Sequence, residues 1–274
     1  MKKKSFHIYI LYLVIIGLGF SSCQQSYQKI LKSNDLEYKY RKAKEFYDKE
    51  KYHKALPIFE ELITLYKGTK SIDEYYYLYA MCHFEQATYL IAAFHFKNIY
   101  DSYPFSQYAE ESLYRNALCY DNLSPRVSLD QSNTQKAIEY YQLFVNSYPE
   151  TDKMELCNNA IKRLRRKLEI KDFKSAELYY RTFRYKAAAV SFENVLEKYP
   201  DTQDAQKIQL YIVKSYFKYA ENSIRSKQLE RYRIALDAFE NFEKDYPKSP
   251  LLADAREVQQ SILKEIENSE LVNN

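Results

Sequence analysis

One four-residue word recurs along the chain: Tyr103-Pro104-Phe105-Ser106, Tyr148-Pro149-Glu150-Thr151, Tyr199-Pro200-Asp201-Thr202 and Tyr246-Pro247-Lys248-Ser249. Twelve residues before each Pro stands an Ala (Ala92, Ala137, Ala188, Ala235). Eight before is an aromatic (Phe96, Tyr141, Phe192, Phe239), and five before is apolar (Ile99, Phe144, Val195, Phe242). A fifth copy fits in front with Ala55, Phe59 and Leu62, where Tyr66-Lys67-Gly68 replaces the Tyr-Pro ending. Positions four and seven after the Ala share one helical face with it. The small residue admits a neighbouring helix, the aromatic fills the next layer, and Pro ends the helix. The Ser or Thr is expected to cap the following helix by accepting backbone N–H bonds.

The first helix of each pair has its own word: Ala43-x-x-Phe46, Ala80-x-x-His83, Ala117-x-x-Tyr120 and Ala176-x-x-Tyr179. The whole resembles the tetratricopeptide repeat, a 34-residue helix–turn–helix unit, over about residues 36–250. The second-helix Ala residues are spaced 37, 45, 51 and 47 apart, so every repeat exceeds that unit. One excess is the polar stretch Asp121 to Thr134, read as an inter-helix loop. Another is a lengthened helix from about Asp152 to Phe183, and residues 250–267 read as a polar-faced closing helix. The expected fold is all-α: an α-solenoid of five tetratricopeptide-like helix pairs, with one lengthened middle helix and a C-terminal capping helix.

Composition removes most enzymatic classes. Of three glycines, Gly17 and Gly19 lie near the N-terminus and only Gly68 follows. A P-loop, a GxGxxG turn and a GxSxG elbow each need several glycines, so none can be built. The four histidines (His7, His53, His83, His95) form no HxxxH or HExxH pattern, which leaves no metal motif. Cys82, Cys119 and Cys157 sit in helical apolar patterns and read as buried core thiols. Glu60-Glu61 and Glu110-Glu111 are adjacent and diverge on a helix, so neither is an acid/base pair.

The N-terminus reads Lys2-Lys3-Lys4, an apolar run from Phe6 to Phe20, then Ser21-Ser22-Cys23. The run is short for a membrane-spanning helix, which needs roughly 20 residues. It resembles a bacterial lipoprotein signal, with Phe20 in place of the usual Leu. The resemblance implies removal of residues 1–22 and acylation of Cys23, a covalent lipid being the one attached group expected. Gln24 follows the Cys; Asp at that place favours inner-membrane retention in lipoproteins, so the outer membrane is implied. Loss of residues 1–22 leaves 38 of the 41 Lys and Arg against 37 Asp and Glu, a balance that does not call for nucleic acid.

The loop Ser128-Leu129-Asp130-Gln131-Ser132-Asn133-Thr134 runs into Gln135-Lys136-Ala137. Later come Lys174-Ser175-Ala176-Glu177-Leu178-Tyr179-Tyr180 and Tyr185-Lys186-Ala187-Ala188. With five repeats and a lipobox, this order resembles the BamD family of outer-membrane lipoproteins. The resemblance implies a non-enzymatic scaffold on the periplasmic face of the outer membrane, without nucleotide or metal. It implies a C-terminal half (151–268, with a tail at 269–274) docked on a BamA-like barrel. It also implies an N-terminal half (36–150, tethered by 23–35) that receives unfolded β-barrel substrates, alongside other assembly lipoproteins. Where that family has Arg-Gly between its fourth pair of helices, this chain has Thr182-Phe183, so the turn is expected to avoid positive φ. The rival readings are another periplasm-facing repeat lipoprotein, Tol–Pal or cell-wall related, and an enzyme or carbohydrate-binding lipoprotein.

Candidate contact residues follow from the register of the first helices. Tyr40, Lys44 and Tyr47, then Tyr77, Met81 and Phe84, then Tyr114 and Leu118, are expected to line an aromatic groove for extended segments. In the basic run Lys162-Arg163-Leu164-Arg165-Arg166-Lys167, Arg163 and Arg166 are candidates for docking an acidic partner, with a solvated helical face as the alternative.

Overall fold

The computed structural model describes residues 27–66 and 72–273. The signal segment, Cys23 and Gly68 lie outside the described residues. All regular structure among the described residues is helical. A helical segment at 27–31 (α1) is followed by α2 (Leu36–Asp48), α3 (Tyr52–Leu65), α4 (Ile72–Glu85), α5 (Tyr89–Ser102), α6 (Ala109–Asn122) and α7 (Ser132–Ser147). Then come α8 (Met154–Arg181), α9 (Tyr185–Lys198), α10 (Ala205–Glu221), α11 (Arg225–Asp245) and α12 (Leu252–Asn273). Five helix pairs run from α2/α3 to α10/α11, with α12 closing the array. The lengthened helix is α8, at 28 residues. The closing helix α12 runs to Asn273, beyond the expected end. Residues 27–31, expected as tether, instead dock on the first pair: Ile30 is buried and the Tyr27 hydroxyl donates to the Lys54 carbonyl at 3.0 Å.

The chain forms two compact units. One runs to Pro125 and from Gln131 to Ile161; the other comprises Arg126–Asp130 and Lys162 onward, so the division falls inside α8. In the first unit the core is built on Ala43, Ala55, Phe59 and Leu62, continuing through Ala80, Ala92, Phe96 and Ile99. In the second it is built on Ala176, Ala188, Phe192, Ala235, Phe239 and Phe242. The five second-helix Ala residues are all fully buried, and their aromatic and apolar partners are at most 3% exposed. Each such Phe contributes about 1.5–3 kcal/mol over its exposed state. In α10 the small residue is replaced by Val213, buried and thirteen residues after Pro200, as Ala117 is thirteen after Pro104.

The Tyr-Pro-x-Ser/Thr word has one geometry wherever it occurs. The Tyr N–H closes the outgoing helix on the carbonyl of Ile99, Phe144, Val195 or Phe242, each at 2.9 Å. The Ser or Thr N–H then returns to the Tyr carbonyl at 2.9–3.2 Å, a β-turn with Pro in its favoured second place. The hydroxyl accepts the N–H two residues on: Tyr108, Lys153, Asp204 and Leu251, at 3.0–3.3 Å. This differs from the expected helix cap. The Ser or Thr forms its own side-chain turn one step ahead, and helices α6 and α10 begin without a side-chain cap. Each hydroxyl also donates its proton to the first helix of the preceding repeat. The acceptors are Asp73 for Ser106 (2.6 Å), Glu110 for Thr151 (2.8 Å), Glu169 for Thr202 and Gln206 for Ser249 (2.7 Å). One atom thus sets the turn and ties successive first helices.

The turns inside the pairs overturn one expectation. Phe183 has φ 62°, so the Thr182-Phe183 turn does take positive φ without glycine. Glu50 and Ala87, both at φ 57°, do the same in the first two pairs. All three are Schellman closures, with Lys51 N–H on Phe46 O (2.8 Å), Thr88 on His83 O (3.0 Å) and Arg184 on Tyr179 O (2.9 Å). The doubled closing bonds hold a conformation that costs a non-glycine residue about 1–2 kcal/mol. Removing one inter-repeat hydroxyl, by Ser106→Ala, leaves Asp73 short of a donor and should lower the unfolding free energy by about 1–2 kcal/mol in urea titration. Ser106→Thr should retain most of it.

Candidate partner-binding surface

In the first unit the first helices α2, α4 and α6 carry a half-buried face of aromatic rings and cations. The Tyr40 ring lies 4.8 Å from Tyr75, and its hydroxyl donates to Glu74 at 2.5 Å. Burial, then that carboxylate, push the Tyr40 phenol up. Tyr47 packs edge-on to Tyr52 at 5.5 Å, with the Lys44 ammonium 5.6 Å over its ring and tied to Asp48. Tyr77 stacks on Tyr108 at 4.7 Å, and its phenol is pushed up to about 12, by burial first and then by Glu111. Phe84 sits beside Tyr89 at 5.4 Å under the Arg115 guanidinium at 5.2 Å. Tyr114 lies 5.6 Å from Phe144 under the Lys153 ammonium at 5.8 Å.

Seven of the eight predicted positions are half-buried, Leu118 among them. Met81 is only 6% exposed and belongs to the core beneath them, so it supports the face rather than forming it. Register alone missed Arg115 and Lys153. Glu111 accepts from Arg115 at 2.6 Å and attracts Lys153 at 3.5 Å, which holds both cations over the rings. The Glu111–Arg115 spacing was legible as a helical i,i+4 pair. The reach from Lys153, at the turn into α8, needs the fold. Glu110, adjacent in sequence, turns instead to Thr151, so the two carboxylates do diverge.

The basic run on α8 divides by environment. Leu164 is buried, and Lys162, Arg163 and Arg165 are exposed. Arg166 is committed internally, donating to Glu169 and, at 2.5 Å, to Asp204 at the start of α10. Arg166 and Glu169, with Lys162, Arg165, Tyr199, Asp201 and Gln203, line a cleft of about 290 Å³. Glu169 is 7% exposed and also takes the Thr202 proton. Arg166→Ala would strip a buried carboxylate of its cation and should cost about 2 kcal/mol, read as a lowered urea midpoint.

Cys82, Cys119 and Cys157 are free and buried, as expected. Burial pushes their thiols up to about 12, 12 and 11, which keeps them protonated and unreactive. No group of metal-ligating side chains occurs among the described residues. Nor, among those residues, is any helix long and apolar enough to cross a membrane.

His83 and His95 stack at 5.8 Å, with Tyr79 against both. Thr88 gives its hydroxyl proton to the His83 carbonyl, so His83 Nδ1, 3.0 Å from that hydroxyl, carries the ring proton. His83 Nε2 is then a bare nitrogen, buried without a partner. Burial, then His83 beside it, hold His95 down to about 4, and burial lowers His83 as well. An unfolded histidine titrates near 6.5. Between about 6.5 and 4 the unfolded chain therefore binds more protons, and this stabilisation, complete above 6.5, is lost as pH falls through that window. Urea titrations at pH 7.5 and 5 should show the loss, and His95→Gln should reduce it.

Solved structures with similar helical arrays include the TPR2AB domain of yeast Sti1 in its pHSP90 complex. It is 17% identical, with 84% of this chain and 97% of that one covered and a TM-score of 0.40. The TPR domain of P58(IPK) is 14% identical, covering 88% and 69%, with a TM-score of 0.41. No curated protein shows significant sequence similarity. The family model YfiO, described as outer membrane lipoprotein, matches residues 32–231, which takes in all five first helices and four complete pairs. The chain belongs to the YfiO family of outer membrane lipoproteins, the BamD family, and is built of tetratricopeptide-type helix pairs.

Proposed function

We propose that this protein is a non-enzymatic scaffold of outer-membrane β-barrel assembly, anchored on the periplasmic face through lipid on Cys23. The family match over 32–231 carries the reading. In it, the second unit docks on the periplasmic part of a BamA-like barrel, and the first receives extended segments of unfolded barrel chains. The first unit's face supports the second role. Its rings are half-buried and already locked against neighbours, so little side-chain entropy remains to be lost on binding. Rings and held cations together offer an extended chain both apolar contact and carboxylate pairing. No cofactor is required, because the free energy of barrel folding itself drives insertion.

A pull-down from detergent-solubilised envelope, read by mass spectrometry, should recover a BamA-like barrel. A Tol–Pal or cell-wall partner in its place would sink the reading. Tyr77→Ala with Phe84→Ala should weaken crosslinking to a barrel C-terminal peptide several-fold while helicity is retained. Unchanged crosslinking would remove this face from the substrate path.

A further inference from the structure

The chain enters the first unit through α1, and α1 is fastened in place. Ile30 is buried against the first pair, and the Tyr27 hydroxyl donates to the Lys54 carbonyl at 3.0 Å. The Tyr27 ring meets Phe46 edge-on at 5.7 Å. The Lys54 ammonium lies 5.8 Å over the Tyr27 ring and 5.9 Å over that of Phe46. The Phe46 carbonyl also takes the Lys51 N–H, so Tyr27 sits at the α2–α3 turn end of the first pair. Only residues 24–26 separate Tyr27 from Cys23. Fully extended, those four steps span at most about 14 Å. An acyl group on Cys23 would therefore hold this end of the first pair at a bilayer surface.

The side chains at that end are cationic. With Tyr27, Ile30 and Leu31 turned onto the core, α1 presents Lys29 and Lys32 to solvent. Lys49 and Lys51 are exposed at the α2–α3 turn. Lys42 and Lys44 on α2 are paired with Glu45 and Asp48, whereas these four form no ion pair among the described residues. The opposing acids are Glu50 in the turn and Glu85, whose charge reaches Tyr52. The patch also has no apolar centre. No large exposed hydrophobic occurs from residue 27 to 54; the first in the described chain is Leu65. A protein interface is built around exposed aromatic, Met or Arg anchors. Lysine is instead a compact point charge that meets phosphate without a fixed geometry. That suits a fluid layer of lipid headgroups, where charge is read and shape is not.

We infer that the outer face of α1 and the α2–α3 turn lie against anionic phospholipid headgroups, with Lys29, Lys32, Lys49 and Lys51 paired to their phosphates. The contact orients the first pair on the bilayer, which lipid on Cys23 only tethers. The inference rests on the lipid-anchor reading and adds to it a second, electrostatic attachment.

The test uses the full-length chain, purified from membranes in detergent and reconstituted into phosphatidylcholine vesicles with or without phosphatidylglycerol. Lysine acetylation, read peptide by peptide by mass spectrometry, should slow about fivefold at Lys29, Lys32, Lys49 and Lys51 when phosphatidylglycerol is present. High salt should restore it. Lys29→Glu with Lys51→Glu should abolish the difference at Lys32 and Lys49 while circular dichroism shows the helicity retained, and Glu50→Lys should enlarge it. Equal acetylation on the two vesicles overturns the inference. So does protection in the native envelope that neither vesicle reproduces, which would assign the patch to an acidic protein. Flotation with neutral vesicles needs only the anchor, and it separates the two readings. A chain that floats with both compositions yet shows equal acetylation keeps its anchor and loses this contact. One that floats only with phosphatidylglycerol lacks the anchor and keeps the contact; one that floats with neither loses both.

Discussion

The inter-repeat hydroxyl is the interaction on which the array depends. A helix pair buries only one face alone, so it needs its successor placed at a defined distance and angle. In each Tyr-Pro-x-Ser/Thr turn one Ser or Thr oxygen accepts from the chain ahead and donates to the first helix behind. Pro and the returning N–H set the turn, and the hydroxyl sets where the turn sits. The acceptor differs from repeat to repeat, Asp73, Glu110, Glu169 or Gln206, and only an oxygen at that place is required.

Around those ties the polar groups are arranged in short, local relays rather than in a convergent pocket. Glu111 holds two cations over two rings; Glu169 receives Arg166 and Thr202. Lys39, 2% exposed, is matched by both oxygens of Glu61 at 2.5 and 2.6 Å. The Glu111 relay holds its cations over the half-buried rings of Phe84 and Tyr114.

Legibility followed how local each signal was. Ala, the aromatic and the apolar residue at fixed steps declared the second helices and their buried face, because helical periodicity is a property of the sequence itself. The first helix of the last pair was expected from the repeat count alone and carries no word of its own, because Val213 stands where Ala43, Ala80 and Ala117 stand. Val is still small enough to bury, but it breaks the pattern. By sequence the Ser and Thr residues look like helix caps, since they precede helices. Their second bond reaches 33 to 43 residues back and leaves no local trace. The positive φ at Phe183 has no sequence mark, because glycine is its usual sign, whereas two closing hydrogen bonds suffice to hold an aromatic there.

The sequence by itself determined that this protein is a run of helix pairs with a lipoprotein-like start, and it excluded glycine-dependent chemistry. Periodicity, helix stops and composition are all local quantities, and they survive without a fold. Only the tertiary structure decided which of the exposed-looking residues face outward, sending Met81 into the core and Arg166 into an internal ion pair. It alone brought Lys153 over Tyr114 and set Tyr27 beside Phe46 and Lys54. Those outcomes depend on distances between residues far apart in the chain, which packing creates and spacing does not encode.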